Sequence, residues 1–135
     1  MSKGNTTEND IVKFIFQNVA MPSYGSNLYL SLHTADPGET GDQTTNEASY
    51  TSYARIAVAR DATGWVVSGN QSSNDDLLQF PQCTGGSNTI THVAIGTASS
   101  GAGQILYSGA LNASISVSNL IQPQFSAAAL QVTED

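Results

Sequence analysis

The sequence predicts an all-β domain, an antiparallel β-sandwich, barrel or jelly roll of about eight short strands, with a short N-terminal helix in front of it. Three observations carry that reading. Apolar and polar residues alternate at period two in several short runs, as with Leu28, Leu30 and Leu32 against Tyr29, Ser31 and His33. Gly, Pro, Asn and Asp clusters interrupt those runs roughly every 8–12 residues, the spacing of an antiparallel sandwich, barrel or jelly roll. Only one segment, near the N-terminus, places apolar residues at helical spacing. With 135 residues the chain has the length of one domain. The organisation is an N-terminal arm and apolar helix over residues 1–20, then a single β-sandwich domain over residues 21–135.

Met1 to Thr7 reads as a loose arm, and Thr7 offers a hydroxyl cap with Glu8 in the first turn of the helix behind it. Ile11, Ile15 and Val19 make one row, and Val12, Phe16 and Ala20 a second row beside it. Lys13, Gln17 and Asn18 leave only a narrow polar stripe, too little for a helix lying on water. Two placements satisfy this composition: the helix packs across the mouth of its own β-domain, or part of it docks on a neighbouring subunit. For the second placement the interface residues are Ile11, Phe14, Ile15, Phe16 and Val19. Pro22 is expected to end the helix.

A half-buried strand follows from Asn27 to His33, then an acidic, turn-rich stretch from Asp36 to Tyr53. Ile56 and Val58 mark a strand between Arg55 and Arg60, and a turn at Asp61–Gly64 leads into Trp65, Val66 and Val67. Gly69 to Asp75 reads as polar loop, and Leu77 to Phe80 as a short strand stopped by Pro81. Thr89 to Gly96 is a strand with Ile90, His92 and Ala94 on one face and Thr91, Val93 and Ile95 on the other. The small residues Ala98 to Gly103 form a hairpin loop into Gln104–Ala110. Ile115 and Val117 mark the next strand, and Phe125 to Val132 the last.

Composition excludes several functions. Four basic residues face eleven acidic ones, a net charge of −7, so no positive surface exists to displace counterions from nucleic acid or to meet an anionic membrane. No apolar run reaches the roughly 18 residues of a membrane helix, and no secretory signal is recognisable at the N-terminus. The single cysteine, Cys83, excludes an intrachain disulfide.

No metal, cofactor or catalytic site is expected. His33 and His92 lack partners at metal-ligand spacing and read as satisfied or surface histidines. Cys83 has no assignable base or oxyanion donors. Asp36, Glu39 and Asp42 stand among two glycines, but their spacing departs from a calcium loop, and neighbours on one loop are poorly placed as an acid–base pair. They read as a solvated turn. The glycines from Gly96 to Gly103 precede a strand, so no helix N-terminus waits there for phosphate. The sequons at Asn5, Asn70 and Asn112 read as chance matches. Tyr24, Tyr29, Tyr50, Tyr53, Trp65 and Tyr107 serve either as core and interface packing or as a sugar platform.

The string from Leu28 to Gly41, LYLSLHTADPGETG, resembles a signature of small tailed-bacteriophage virion proteins. Ser52-Tyr53-Ala54-Arg55, Gly85-Gly86-Ser87, Ile90 to Gly96, Leu106 to Leu111 and Ala128-Ala129-Leu130 extend the likeness in order. That family is often labelled phage tail-fibre protein, and similar small β-proteins serve as head cement or decoration proteins. The resemblance implies a jelly-roll-like structural protein on the outer surface of the virion capsid, clamping neighbouring major capsid protein subunits. It implies a homodimer, with a trimer as the other closed arrangement. A tail or tail-fibre component is the alternative, and a carbohydrate-binding module a further one. The family pattern brings no catalytic residues. His33 and Asp36 match it as residues that fix the strand end and the turn.

Overall fold

In the computed structural model, which describes residues 1–135, the strand that opens the alternating pattern lies inside the larger sheet, one strand from its edge. The elements are β1 (Ser2–Lys3), α1 (Asn5–Gln17), β2 (Asn27–His33), β3 (Ile56–Ala59), β4 (Trp65–Ser68) and β5 (Gln71–Asn74). β6 (Leu78–Gln79), β7 (Asn88–Gly96), β8 (Ile105–Val117), β9 (Gln124–Phe125) and β10 (Gln131–Thr133) complete the chain. Every strand pair is antiparallel. A five-stranded sheet runs β1-β8-β7-β2-β3, a three-stranded sheet β10-β5-β4, and β6 pairs with β9. The protein is an all-β sandwich with one short N-terminal helix.

The core joins Leu30, Leu32, Val58, Ile90, Val93, Ile95 and Val117 of the larger sheet to Leu78, Phe80, Leu130 and Val132 across from them. Tyr50 and Cys83 close it from the loops. A ladder of rings, Tyr50 on Tyr53, Tyr53 on Phe80 and Phe80 on Phe125, runs through this space with centroids 5.3–6.5 Å apart.

Several local expectations give way to tertiary structure. Met1 to Thr7 is no loose arm: Ser2 and Lys3 pair with Ser108 and Tyr107 as an edge strand. The helix starts behind Gly4, without a side-chain cap, and Thr7 lies inside it, buried. It ends at Asn18, which takes the left-handed conformation (φ 55°), four residues before Pro22. β2 is buried on both faces at its C-terminal half, because the stretch from Asp36 to Tyr53 folds over Ser31 and His33.

The polar loop expected over Gly69–Asp75 is the middle strand of a sheet. Gly69 (φ 61°) and Asn70 make a two-residue turn, and Gln71–Asn74 pairs with β4 on one side and β10 on the other. The two strands expected around Tyr107 and Ile115 are one strand, β8, whose pairing to β7 jumps between Ile90↔Ile115 and His92↔Ala110. That irregularity carries Ile90 into the core with Val93 and Ile95, away from the predicted alternation. The last expected strand is divided into β9 and β10, with Ala128 between them at φ 61°. The chain thus has ten strands where about eight were expected.

Candidate docking surface

α1 is held by its polar first turns and leaves its apolar rows in solvent. The Thr7 hydroxyl donates to the Ile105 carbonyl at 3.0 Å, and the Gln104 amide reaches both Thr7 Oγ1 (3.0 Å) and Asp10 Oδ2 (3.2 Å). Gly4 N–H donates to Leu106 O and Asn5 N–H to Glu39 O. Any side chain at Gly4 would collide with the Ile105 carbonyl, since a Cβ there would lie 2.5 Å from its oxygen. The apolar half of the helix points elsewhere. Ile11 is half-buried, but Phe14 is 55% exposed, Ile15 62% and Phe16 79%, with Val12 and Val19 also exposed. The placement in which these rows cover the protein's own β-domain is therefore corrected: the helix anchors to β8 through polar contacts and presents its apolar residues outward. A patch of several large apolar side chains on one element is the mark of a contact surface.

Two smaller apolar exposures lie elsewhere. Val66 and Val67 stand exposed on β4, and Leu120 and Ile121 on the loop after β8. Leu120 sits at φ 74°, an uncommon conformation for a residue with a Cβ, held by its N–H to Cys83 O and its C=O to the Gln82 amide.

One cluster of titratable and polar residues, by contrast, turns inward and holds loops. Glu47 receives Arg55 Nε (2.7 Å) and Nη2 (2.9 Å) in bidentate fashion, together with the Tyr53 hydroxyl (2.8 Å). Arg55 goes on to the carbonyls of Ala98 and Gly101, and Tyr53 OH accepts the Leu32 N–H. Burial pushes the Tyr53 hydroxyl far above the ordinary phenol range. The acidic stretch from Asp36 to Tyr53 contains no Lys or Arg, and thus draws its cation from the residue just before β3.

Gln43, fully buried, donates to Tyr29 O and accepts the Ala98 N–H, with its carboxamide pressed against Gly96 and Gly103. His33 Nδ1 faces Thr45 O at 2.8 Å and Nε2 faces Ser31 Oγ at 2.8 Å. The carbonyl at Nδ1 demands a proton on that nitrogen, so Nε2 accepts from the serine hydroxyl. Burial holds the imidazole below its ordinary pKa of 6.5, more strongly than the Thr45 hydrogen bond raises it.

This Ser–His pair has the atoms of a nucleophile and base without the access. Ser31 and His33 are both completely buried, and neither of the two main surface hollows is lined by them. Cys83 is likewise buried, its thiol on Gly85 O. Asp36 Oδ1 accepts Gly38 N–H, while Asp42 Oδ1 accepts both the amide and hydroxyl of Thr44, which lowers the Asp42 pKa. These are turn-fixing roles, and for Asp36 the role is the one the family likeness implied. No group of three His, Cys, Asp or Glu side chains gathers in metal-binding geometry.

Two hollows stand out on the surface. One, of about 730 Å³, opens between the sheets past Leu28, Trp65, Val67, Tyr107 and Val132, and the other, of about 750 Å³, lies along β8 beside Met1 and His92. Trp65 and Tyr107 share the first hollow; Tyr50 and Tyr53 belong to the core ladder, so the six aromatics form no single platform.

Sequence reasoning named the helix residues and missed Val66 and Val67. Their signal was present as an uncharged run from Ala62 to Asn74 in a strongly acidic chain.

No curated protein matches the chain. A family model described as Podophage GP4 fiber I protein gp80 matches residues 2–133.

Proposed function

The chain belongs to the podophage GP4 fiber I protein gp80 family, a family of phage structural proteins of the virion, and from that premise we propose that it is a passive structural subunit of a virion fibre, attached through the apolar face of α1. The observation that carries the proposal is the exposure of Phe14, Ile15 and Phe16 on a helix whose first turns are fixed to β8. A rigid base with a greasy projecting face suits attachment: little conformational entropy is lost on docking, and aromatic side chains supply most of the contact energy. The sandwich itself acts as a brace with no reactive centre.

A second reading keeps the same contact and changes the site of attachment. A cement protein on the outside of the head would clamp neighbouring major capsid protein subunits, and the sequence string from Leu28 to Gly41 supports it. Two modest contacts made at once gain effective concentration, which is how a small clamp holds firmly.

Copy number in purified virions separates the two, because symmetry fixes it: a head covering is present in the hundreds, roughly, and a tail part in small multiples of the tail symmetry. A quantitative gel giving the small multiple supports the fibre, and the large one the clamp. In either case Phe14→Ser with Phe16→Ser should strip the protein from particles while the purified variant stays folded. Full incorporation of that variant overturns the attachment through α1.

A further inference from the structure

We infer that the free edge of β4 pairs with the same edge of a second copy, joining two three-stranded sheets into one continuous six-stranded sheet across a twofold axis. A sheet edge offers unpaired N–H and C=O groups, and proteins guard such edges with short strands, charges, bulges or covering segments. Every other edge of this molecule has such a guard. β1 is two residues long and carries Lys3, whose ammonium meets Glu134 at 2.7 Å. β3 stands between Arg55 and Arg60, and β10 runs straight into Glu134 and Asp135. β6 and β9 are two residues each. β4 has none of these, and its sequence Trp-Val-Val-Ser is rich in residues suited to strands.

The hydrogen-bond parity of β4 follows from its hairpin. The two-residue turn at Gly69–Asn70 makes Ser68 and Gln71 a hydrogen-bonded pair, so Val66 also faces β5 while Trp65 and Val67 face away. Trp65 N–H is taken by Asp61 O at 3.1 Å, and β4 makes no other backbone bond outside its hairpin. Val67 therefore presents both its N–H and its C=O to the open edge, on a residue that is 73% exposed.

A second copy is the occupant that fits. An antiparallel pair about a twofold axis matches a strand with itself, each donor meeting an acceptor, so that Val67 of each copy exchanges both bonds with its counterpart. Two molecules of charge −7 repel, and the thirteen residues from Ala62 to Asn74 form a neutral stretch along which they can approach. This contact uses none of the α1 residues, so it stands or falls separately from the attachment proposed above.

The experiment is sedimentation of the full-length protein over a concentration series, with amide hydrogen exchange on the same samples. The wild type should sediment as a dimer, with the Val67 amide protected. Val67→Lys, which sets like charges opposite one another, should weaken the dimer roughly a hundredfold while the melting temperature of the monomer holds. Phe14→Ser with Phe16→Ser should leave the dimer intact. A wild type that stays monomeric at every concentration overturns the inference, as does a Val67→Lys variant that dimerises like the wild type. Loss of the dimer in the helix variant instead would assign the contact to α1 and overturn it equally.

Discussion

The Glu47–Arg55 cluster and the helix α1 invert the usual placement of residue types. In the cluster a carboxylate, a guanidinium, a phenol, an imidazole and a carboxamide lie under loops, while on α1 two phenylalanines, an isoleucine and a valine stand in water, with Val19 just past its end. The cluster's groups satisfy one another, so burial there is compensated, and removing one member strands the rest. The helix residues touch little of their own protein, so removing them should cost the isolated fold almost nothing. Stability resides in the first region and association in the second. The difference teaches that side-chain polarity alone does not say which region holds the fold together.

The sharpest break in this comparison is Arg55→Ala. It leaves Glu47 without its cation and the Ala98 and Gly101 carbonyls without donors, and should cost about 3–5 kcal/mol in urea unfolding. A loss no larger than that of a surface substitution would make the cluster decorative. Next comes Gly96→Ala. Its new methyl would lie 2.1 Å from the Gln43 carboxamide carbon, an overpacking expected to cost about 1–3 kcal/mol. Adding Gln43→Ala should recover part of that loss, and strict additivity of the two changes would contradict the contact.

Acid should weaken the cluster through His33. Its folded pKa lies below the ordinary 6.5, so the unfolded chain binds a proton that the native chain refuses. The stabilisation is complete above 6.5 and falls away as pH drops from there through the folded value. An imidazole midpoint at or above 6.5 by NMR would refute this. Asp42 and Glu134, whose pKa values are also lowered, give up their contributions only in the more acidic carboxylate range. The smallest effect belongs to the helix: Phe14→Ser with Phe16→Ser should shift stability by under about 1 kcal/mol. A larger loss would mean that α1 is core after all.

Elements whose side chains declare their environment were legible in the sequence. β2, β3 and β4 show strand composition, the glycine-rich link before β8 reads as a hairpin, and the apolar excess of α1 announces a helix that water does not suit. β5 was illegible because Gln-Ser-Ser-Asn has no strand signature; it is a strand because β4 and β10 supply ladders on both sides. The continuity of β8 and the division of β9 from β10 depend on register and on one left-handed residue, neither of which periodicity records. The helix surface was named from its own residues. The β4 edge was not, since whether a strand lies at an edge is decided by its neighbours.

The borrowed cation has a consequence in time. The acids of this loop have no cation to pair with until Arg55 arrives, and Arg55 arrives only when β3 lies against β2. Closure therefore belongs late in folding, after the transition state has formed its long-range pairings, and Glu47→Gln should speed unfolding while leaving the refolding rate nearly untouched.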